Sequence, residues 1–317
     1  MQQNKLKSIQ AQLEQLISYE VENKSLPSIS YVLVDRNAVL ASNHFVRNDL
    51  THQLSDKSVF RVGSISKMFA TISLMQLVEK NLVDLDVDVS DYIPGFNPIN
   101  PYAKNESGVL GTNISLRKLM SHTSGMVREP TVGHYLDDNL PTLTAVVDGL
   151  KTCTLKEDPS AGVFQYSNAG ISIVGSIIES ISGQSYNDYV QEHILTPVGM
   201  NQSSFEISSA VHEYLAPAFM WNMEGDFSAP VFDVPAPAGN LYSTGPDMAR
   251  FLITLLRGGY TPNGVSIISP TTLQLMWTQV GMGYHKEQGY GFGFGLNTIE
   301  GWRSVGHGGA IYGYSTQ

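Results

Sequence analysis

The chain has 317 residues, 42% of them hydrophobic and only 15% charged, which is enough apolar side chain for a large core and rules out a disordered or low-complexity protein. Its 19 Lys and Arg against 29 Asp and Glu leave a net charge of −10, a sign that repels phosphate backbones and anionic lipid surfaces, so a nucleic-acid partner is not expected. The single cysteine, Cys153, excludes a disulfide framework and a cysteine-rich zinc site and reads as a small buried hydrophobe, and no apolar run approaches the roughly 18 residues that span a bilayer.

In chain order, Leu6, Ile9, Leu13, Leu16 and Ile17 recur at helical spacing among Gln, Lys and Glu and predict an amphipathic first helix with a core-facing stripe. Ser28 to Val34 and Ala38 to Ser42, separated by Asp35-Arg36-Asn37, read as a strand hairpin. From Ser64 to about Phe205, apolar segments of helical length alternate with Pro, Gly and Ser loops, and Ile171 to Ile181, ending at Gly183, is the clearest helix among them. Farther on, a helix at Pro246 to Leu256 precedes Gly289 to Leu296, whose glycine and aromatic alternation suits a strand. The pattern predicts one domain in which a helical stretch, residues 64–235, is inserted into a sheet-forming part made of residues 1–63 and 236–317.

Two local patterns imitate ligand sites and fail on mechanism. Asp84, Asp86 and Asp88 alternate like the start of a calcium loop, but Val89 stands where the turn glycine belongs and Gly95 where the bidentate glutamate belongs, so a solvated turn is expected. The glycines of 289–295 and of Gly306-His307-Gly308-Gly309 lack the Gly-Lys-Ser/Thr ending of a phosphate loop.

The informative segment runs from Arg61 to Met75. Lys67 is its only charge between Arg61 and Glu79, and the helix around it is apolar on nearly every side. A buried ammonium costs several kcal/mol unless it is hydrogen-bonded or gives up its proton, and desolvation lowers a lysine pKa. Ser64 lies three positions earlier, so its hydroxyl and the Lys67 amine can converge on one face, as a serine nucleophile assisted by an amine requires. The plain alternative is a helix cap at Ser64 with Lys67 reaching out to solvent. Two further segments weigh against it: Tyr166-Ser167-Asn168 ahead of the apolar helix from Ile171, and His307-Gly308-Gly309-Ala310 at the start of a predicted strand.

With Leu116 to Gly125, Pro159 to Gly162, Pro197 to Met200 and Pro237 to Thr244 between them, these motifs resemble the serine β-lactamase and penicillin-binding-protein superfamily, in the branch of class C β-lactamases, D-Ala-D-Ala carboxypeptidases and related esterases and peptidases. The resemblance implies an α+β, β-lactamase/transpeptidase-like fold: an antiparallel sheet flanked by helices, an inserted mostly helical subdomain, and an active site in the cleft where Ser64, Tyr166 and His307 meet. It implies Ser64 as the acylated nucleophile, Lys67 as the amine beside it, and Tyr166 as the group exchanging protons with nucleophile and leaving group. Asn168 corresponds to the amide that binds the substrate carbonyl side and Lys67. His307 and Gly309 correspond to the substrate-binding edge, and the backbone N–H groups of Ser64 and Ala310 to the oxyanion hole. A tyrosinate at Tyr166 would need adjacent cations, for which Lys67 and a protonated His307 are the candidates. His122, in the Ser-His-Thr-Ser-Gly phrase, is expected to be a buried, hydrogen-bonded framework residue away from the chemistry.

Two departures qualify the substrate class. His307-Gly308-Gly309 stands where β-lactamases typically carry Lys-Thr-Gly, removing a permanent charge and a hydroxyl that grip a carboxylate. The sequence also stops at Gln317 inside the strand after the third motif, whereas the family continues with two more strands and a helix, so C-terminal strands of that fold are missing from it. The resulting expectation is a serine hydrolase acting through a Ser64 acyl-enzyme on ester, amide or peptide substrates. The alternatives are a class C-like β-lactamase and a non-catalytic ligand- or peptidoglycan-binding scaffold. No metal or cofactor is expected, and the partner is a small-molecule or peptide substrate, with no nucleic acid and no membrane span. Oligomeric state is not set by the sequence, and neither is the compartment, which is periplasmic or extracellular if a signal has been removed and cytoplasmic otherwise.

Overall fold

The computed structural model of the chain describes residues 2–24, 26–103, 112–134, 137, 139–222, 225–229, 236–282 and 288–317. Helix α1 (Gln2–Asn23) lies on the antiparallel hairpin of β1 (Ser28–Val34) and β2 (Val39–Val46). Asp35 closes that hairpin by accepting the amides of Asn37 and Ala38 at 2.7 and 2.8 Å. The apolar stripe of α1 is only partly covered. Leu6, Leu13 and Ile17 are half-buried, but Ile9 and Leu16 are 47% and 56% exposed, because the surface beneath the helix is only two strands wide.

β3 (Val59–Arg61) leads through one tight turn, Gly63–Ile65, into α2 (Ser66–Glu79). An evenly apolar helix belongs in the middle of a core, and α2 is buried from Ser66 through Met75. Its Phe69 stacks on Phe251 at 4.3 Å and meets Phe205 edge-on at 6.2 Å. α3 (Leu116–Met120), α4 (Leu143–Leu150) and α5 (Asn168–Ser182) follow, and α5 packs against α2, α3 and α4. Ser167 caps α5 by accepting the Gly170 amide at 2.8 Å, and Gly183 ends it with φ 71°, a left-handed value that glycine adopts without strain.

The hairpin of β4 (Phe219–Asn222) and β5 (Gly225–Ser228) falls inside the stretch read as helical. β6 (Tyr242–Thr244) pairs with β3, and α6 (Gly245–Leu256) starts at the Thr244 cap and packs on β1. The chain then forms β7 (Gly289–Tyr290), β8 (Gly295–Ile299) and β9 (Trp302–Gly306) in one ladder and β10 (Gly309–Ile311) with β11 (Tyr314–Thr316) in another. Every one of these ladders is antiparallel, and with the surrounding helices they make an α+β fold.

The strand expected over Gly289 to Leu296 is instead two strands joined by a turn. Phe292 and Phe294 are both fully buried, Gly293 has φ 74°, and the Phe292 and Gly293 amides donate to the carbonyls of Met276 and Met120 at 2.9 and 3.0 Å. Burying two nearby rings in the core and donating backbone hydrogen bonds to Met276 and to Met120 of α3 outweighs continuing the ladder. The aspartate triplet is a solvated turn: Asp86 pairs with Arg117 at 2.6 Å, and Asp88 accepts from Ser90 and Thr112. Cys153 is free and half-buried, at the edge of the core rather than inside it.

Candidate active site

The turn that carries Ser64 is built on close backbone approach. Gly63 has φ 54°, and a Cβ there would come 2.9 Å from the Ala310 nitrogen, while one on Gly309 would collide with the Val62 carbonyl. β10 therefore lies directly against the Gly63–Ser64 turn, and Ser64 and Ala310 line the same cleft, of about 390 Å³. The turn is pinned from below by Ser66, whose hydroxyl donates to the Gly63 carbonyl at 2.6 Å and accepts the Leu241 amide at 3.0 Å.

The residues singled out in the sequence meet at Ser64. Lys67 Nζ lies 2.9 Å from Ser64 Oγ and donates to the Ala238 carbonyl at 2.5 Å. Tyr166 Oη donates to Ser64 Oγ at 2.9 Å. Lys67 is fully buried, and the loss of solvent pushes its pKa down to about 7, against the pull of Glu129. Burial acts the other way on Tyr166, whose phenol is pushed up to about 12 despite the Ser64 bond. His307 is driven down to about 4 by burial and by Lys67, and its Nδ1 donates to the Gly308 carbonyl at 2.5 Å. A protonated His307 holding a tyrosinate at Tyr166 does not fit these environments, because each favours the neutral form near pH 7.

Asn168 departs from its expected contacts. Its Nδ2 donates to Glu129 Oε1 at 2.6 Å, and its Oδ1 is buried with no hydrogen bond among the described residues, whereas Lys67 turns to Ala238. His122 is fully buried and its Nδ1 accepts the Ser167 amide at 3.2 Å, as a framework histidine should. It is not remote from the site, however: its ring lies 4.4 Å from that of Tyr166 and 4.9 Å from that of Tyr290.

Sequence reasoning missed Glu129 and Arg128. The Arg128 guanidinium sits 5.1 Å from the Tyr166 ring centre and 3.4 Å from Glu129 Oε1. Burial pushes the Glu129 carboxyl up, and its bond with Asn168 opposes this. Their only sequence signal is a pair of adjacent charges at the third and fourth residues after the Ser-Gly of the framework phrase. Among the described residues, no group of three or more His, Cys, Asp or Glu is placed to hold a metal ion, and no helix is long and apolar enough to cross a membrane.

The family model for Beta-lactamase matches residues 13–317. Penicillin-binding protein 4 of Amycolatopsis lactamdurans is 30% identical over 265 residues, 81% of this chain and 67% of that protein. Beta-lactamase-like protein 2 of Dictyostelium discoideum is 28% identical over 272 residues, covering 83% of this chain and 47% of that protein, so the chain spans about half of that relative's length. Among solved structures, the octameric penicillin-binding protein homologue from Pyrococcus abyssi superposes with a TM-score of 0.77 at 25% identity, over 96% of this chain and 69% of that one. The D-amino acid amidase of Ochrobactrum anthropi SV3 complexed with D-phenylalanine gives 0.75 at 20% identity, over 96% and 86%, a likeness of fold. With residues 13–317, nearly all of this chain, matched by the family model, the chain belongs to the Beta-lactamase family.

Proposed function

We propose that the chain is a serine hydrolase, one catalytic domain that cleaves esters, amides or peptides through an acyl-enzyme on Ser64. The observation that carries this reading is the pair of 2.9 Å contacts on Ser64 Oγ, one from a buried amine of pKa about 7 and one from a phenol of pKa about 12.

Near neutrality the polarity of the three groups is consistent. Neutral Lys67 accepts the Ser64 proton while one of its N–H bonds stays on the Ala238 carbonyl, and Tyr166 donates to Ser64 Oγ. As Lys67 takes the proton, Oγ adds to the substrate carbonyl carbon, and the carbonyl π pair becomes an oxyanion facing the Ser64 and Ala310 N–H groups. One such donor contributes roughly 3 kcal/mol in comparable sites. Collapse expels the alcohol or amine, which leaves with the Tyr166 proton, and Tyr166 regains one from the Lys67 ammonium. Hydrolysis reverses the roles: a water gives its proton to the Tyr166 and Lys67 pair, attacks the acyl carbon, and returns Ser64 as the alcohol.

With a neutral His307 where β-lactamases typically carry a lysine, esters and amides without an obligatory carboxylate suit the cleft better than β-lactams. The D-amino acid amidase among the similar structures supports amides within that range. The test is intact-protein mass spectrometry after a fluorophosphonate probe: one adduct is expected on Ser64, with none on Ser64→Ala. Equal labelling of the alanine variant would place the nucleophile elsewhere.

A further inference from the structure

The hairpin that carries Ala310 turns on a tyrosine in a backbone conformation that bulky residues avoid. Ile311 pairs with Tyr314, so Tyr312 and Gly313 form the whole loop, with φ of 33° and 80°. Two positive φ values in a two-residue hairpin loop suit Asn-Gly, whereas a bulky side chain at the first position is an outlier. Strain of this kind persists only where the surroundings impose it, and it gathers at functional sites.

The surroundings hold this loop from several directions. At Gly313 a Cβ would lie 2.7 Å from the Phe219 carbonyl oxygen, so the loop is seated on the backbone of β4. The Arg61 guanidinium, on a side chain buried in the core, lies 5.4 Å from the Tyr242 ring centre and 5.6 Å from that of Tyr312. A cation over a ring face attracts more strongly once both are desolvated. Arg61 stands three residues before Ser64, so the Tyr312 ring rests on the segment that carries Ser64. The next strand is fastened to the same segment, because Thr316 Oγ1 donates to the Val62 carbonyl at 2.9 Å, and Tyr314 Oη donates to the Ala216 carbonyl at 2.6 Å. Tyr312 is thus a fixed element, and it lines the cleft of about 390 Å³ together with Ser64, Ala310, Ile311 and Met220.

A fixed ring in a cleft wall acts through its shape. In an acyl-enzyme the leaving group has gone, and the acyl group is what the cleft has to hold, two residues along the hairpin from Tyr312 if its carbonyl faces the Ala310 N–H. We propose that Tyr312 is a specificity-determining residue, the wall that limits the bulk of the acyl group admitted beside Ser64. This rests on the Ser64 reading for where the acyl group is attached.

The test reads kcat/KM for p-nitrophenyl diphenylacetate divided by that for p-nitrophenyl acetate, and comparing this ratio between variants cancels the intrinsic reactivity of the two esters. Tyr312→Asn and Tyr312→Gly both suit a positive φ and remove the ring, and either one serves once its circular dichroism matches that of the wild type. The ratio should rise at least about tenfold in them, the scale on which an apolar pocket discriminates by size. Tyr312→Phe, which keeps the ring over Arg61, should keep the wild-type ratio. An unchanged or lower ratio in the ring-less variants, or an equal rise in Tyr312→Phe, would overturn the inference. Loss of the fold in both ring-less variants would make the strained tyrosine a structural residue and overturn it too. If neither ester turns over, the same ratio is read from rates of Ser64 labelling by fluorophosphonates with a diphenylmethyl or a methyl group on phosphorus. Failure of the Ser64 reading is separate: full turnover of both esters by Ser64→Ala would sink that reading, whatever the ratio does in the Tyr312 variants.

Discussion

Two regions reach Ser64, and burial does opposite things in them. The start of α2 brings Lys67, a cation when protonated, and loss of solvent lowers its pKa to about 7. The segment before α5 brings Tyr166, an anion when deprotonated, and the same loss of solvent raises its pKa to about 12. Desolvation favours the neutral form of both, so near pH 7 the two groups are an amine able to accept a proton and a phenol able to donate one. In the proposed mechanism the division of labour then follows from charge type, with no need for a tyrosinate held by surrounding cations.

Each variant below strains this contrast. The largest effect is expected from Lys67→Ala, which removes the proton acceptor: acylation of Ser64 by a neutral p-nitrophenyl ester should slow by about 10³, within the range for positioned acid–base groups, while Tyr166→Phe, which leaves the acceptor in place, should cost about 10². Stopped-flow burst rates compare the two, and a larger loss in Tyr166→Phe would reverse the assignment. A smaller effect is expected from His307→Lys, which puts a more basic group than imidazole on the Tyr166 side: at pH 8 the ratio of kcat/KM for a carboxylate-bearing substrate to that for a neutral ester should rise about tenfold. An unchanged ratio would mean that His307 does not influence substrate class.

The sequence was most legible where the reason for a residue was local. The evenly apolar run around Lys67 marked α2 as buried, and the apolar run ending at Gly183 located α5. The order of the Ser64, Tyr166 and His307 motifs indicated the family and its α+β fold, which the family match bears out. Less legible were features set by distant parts of the chain. Gly289 to Leu296 alternates like one strand, but α3 and the core claim Phe292 and the Gly293 amide and break it in two. His307 carries no mark of neutrality in its own motif, since the burial that imposes it comes from packing around Tyr166 and Tyr290. Glu129 resembles any surface acid until folding sets it on Asn168, 39 residues away.

The most direct test of the contrast is the pH dependence of Ser64 acylation by a neutral ester. His307 titrates near 4 and Tyr166 near 12, so of these groups Lys67, at about 7, is the one that changes charge in the intervening range. Its amine form accepts the proton, so the rate should rise with pH through about 7 and then level off. The same limb should persist in Tyr166→Phe at a lower rate and vanish in Lys67→Ala. A limb that survives in Lys67→Ala and disappears in Tyr166→Phe would contradict the account and return the role of base to the tyrosine.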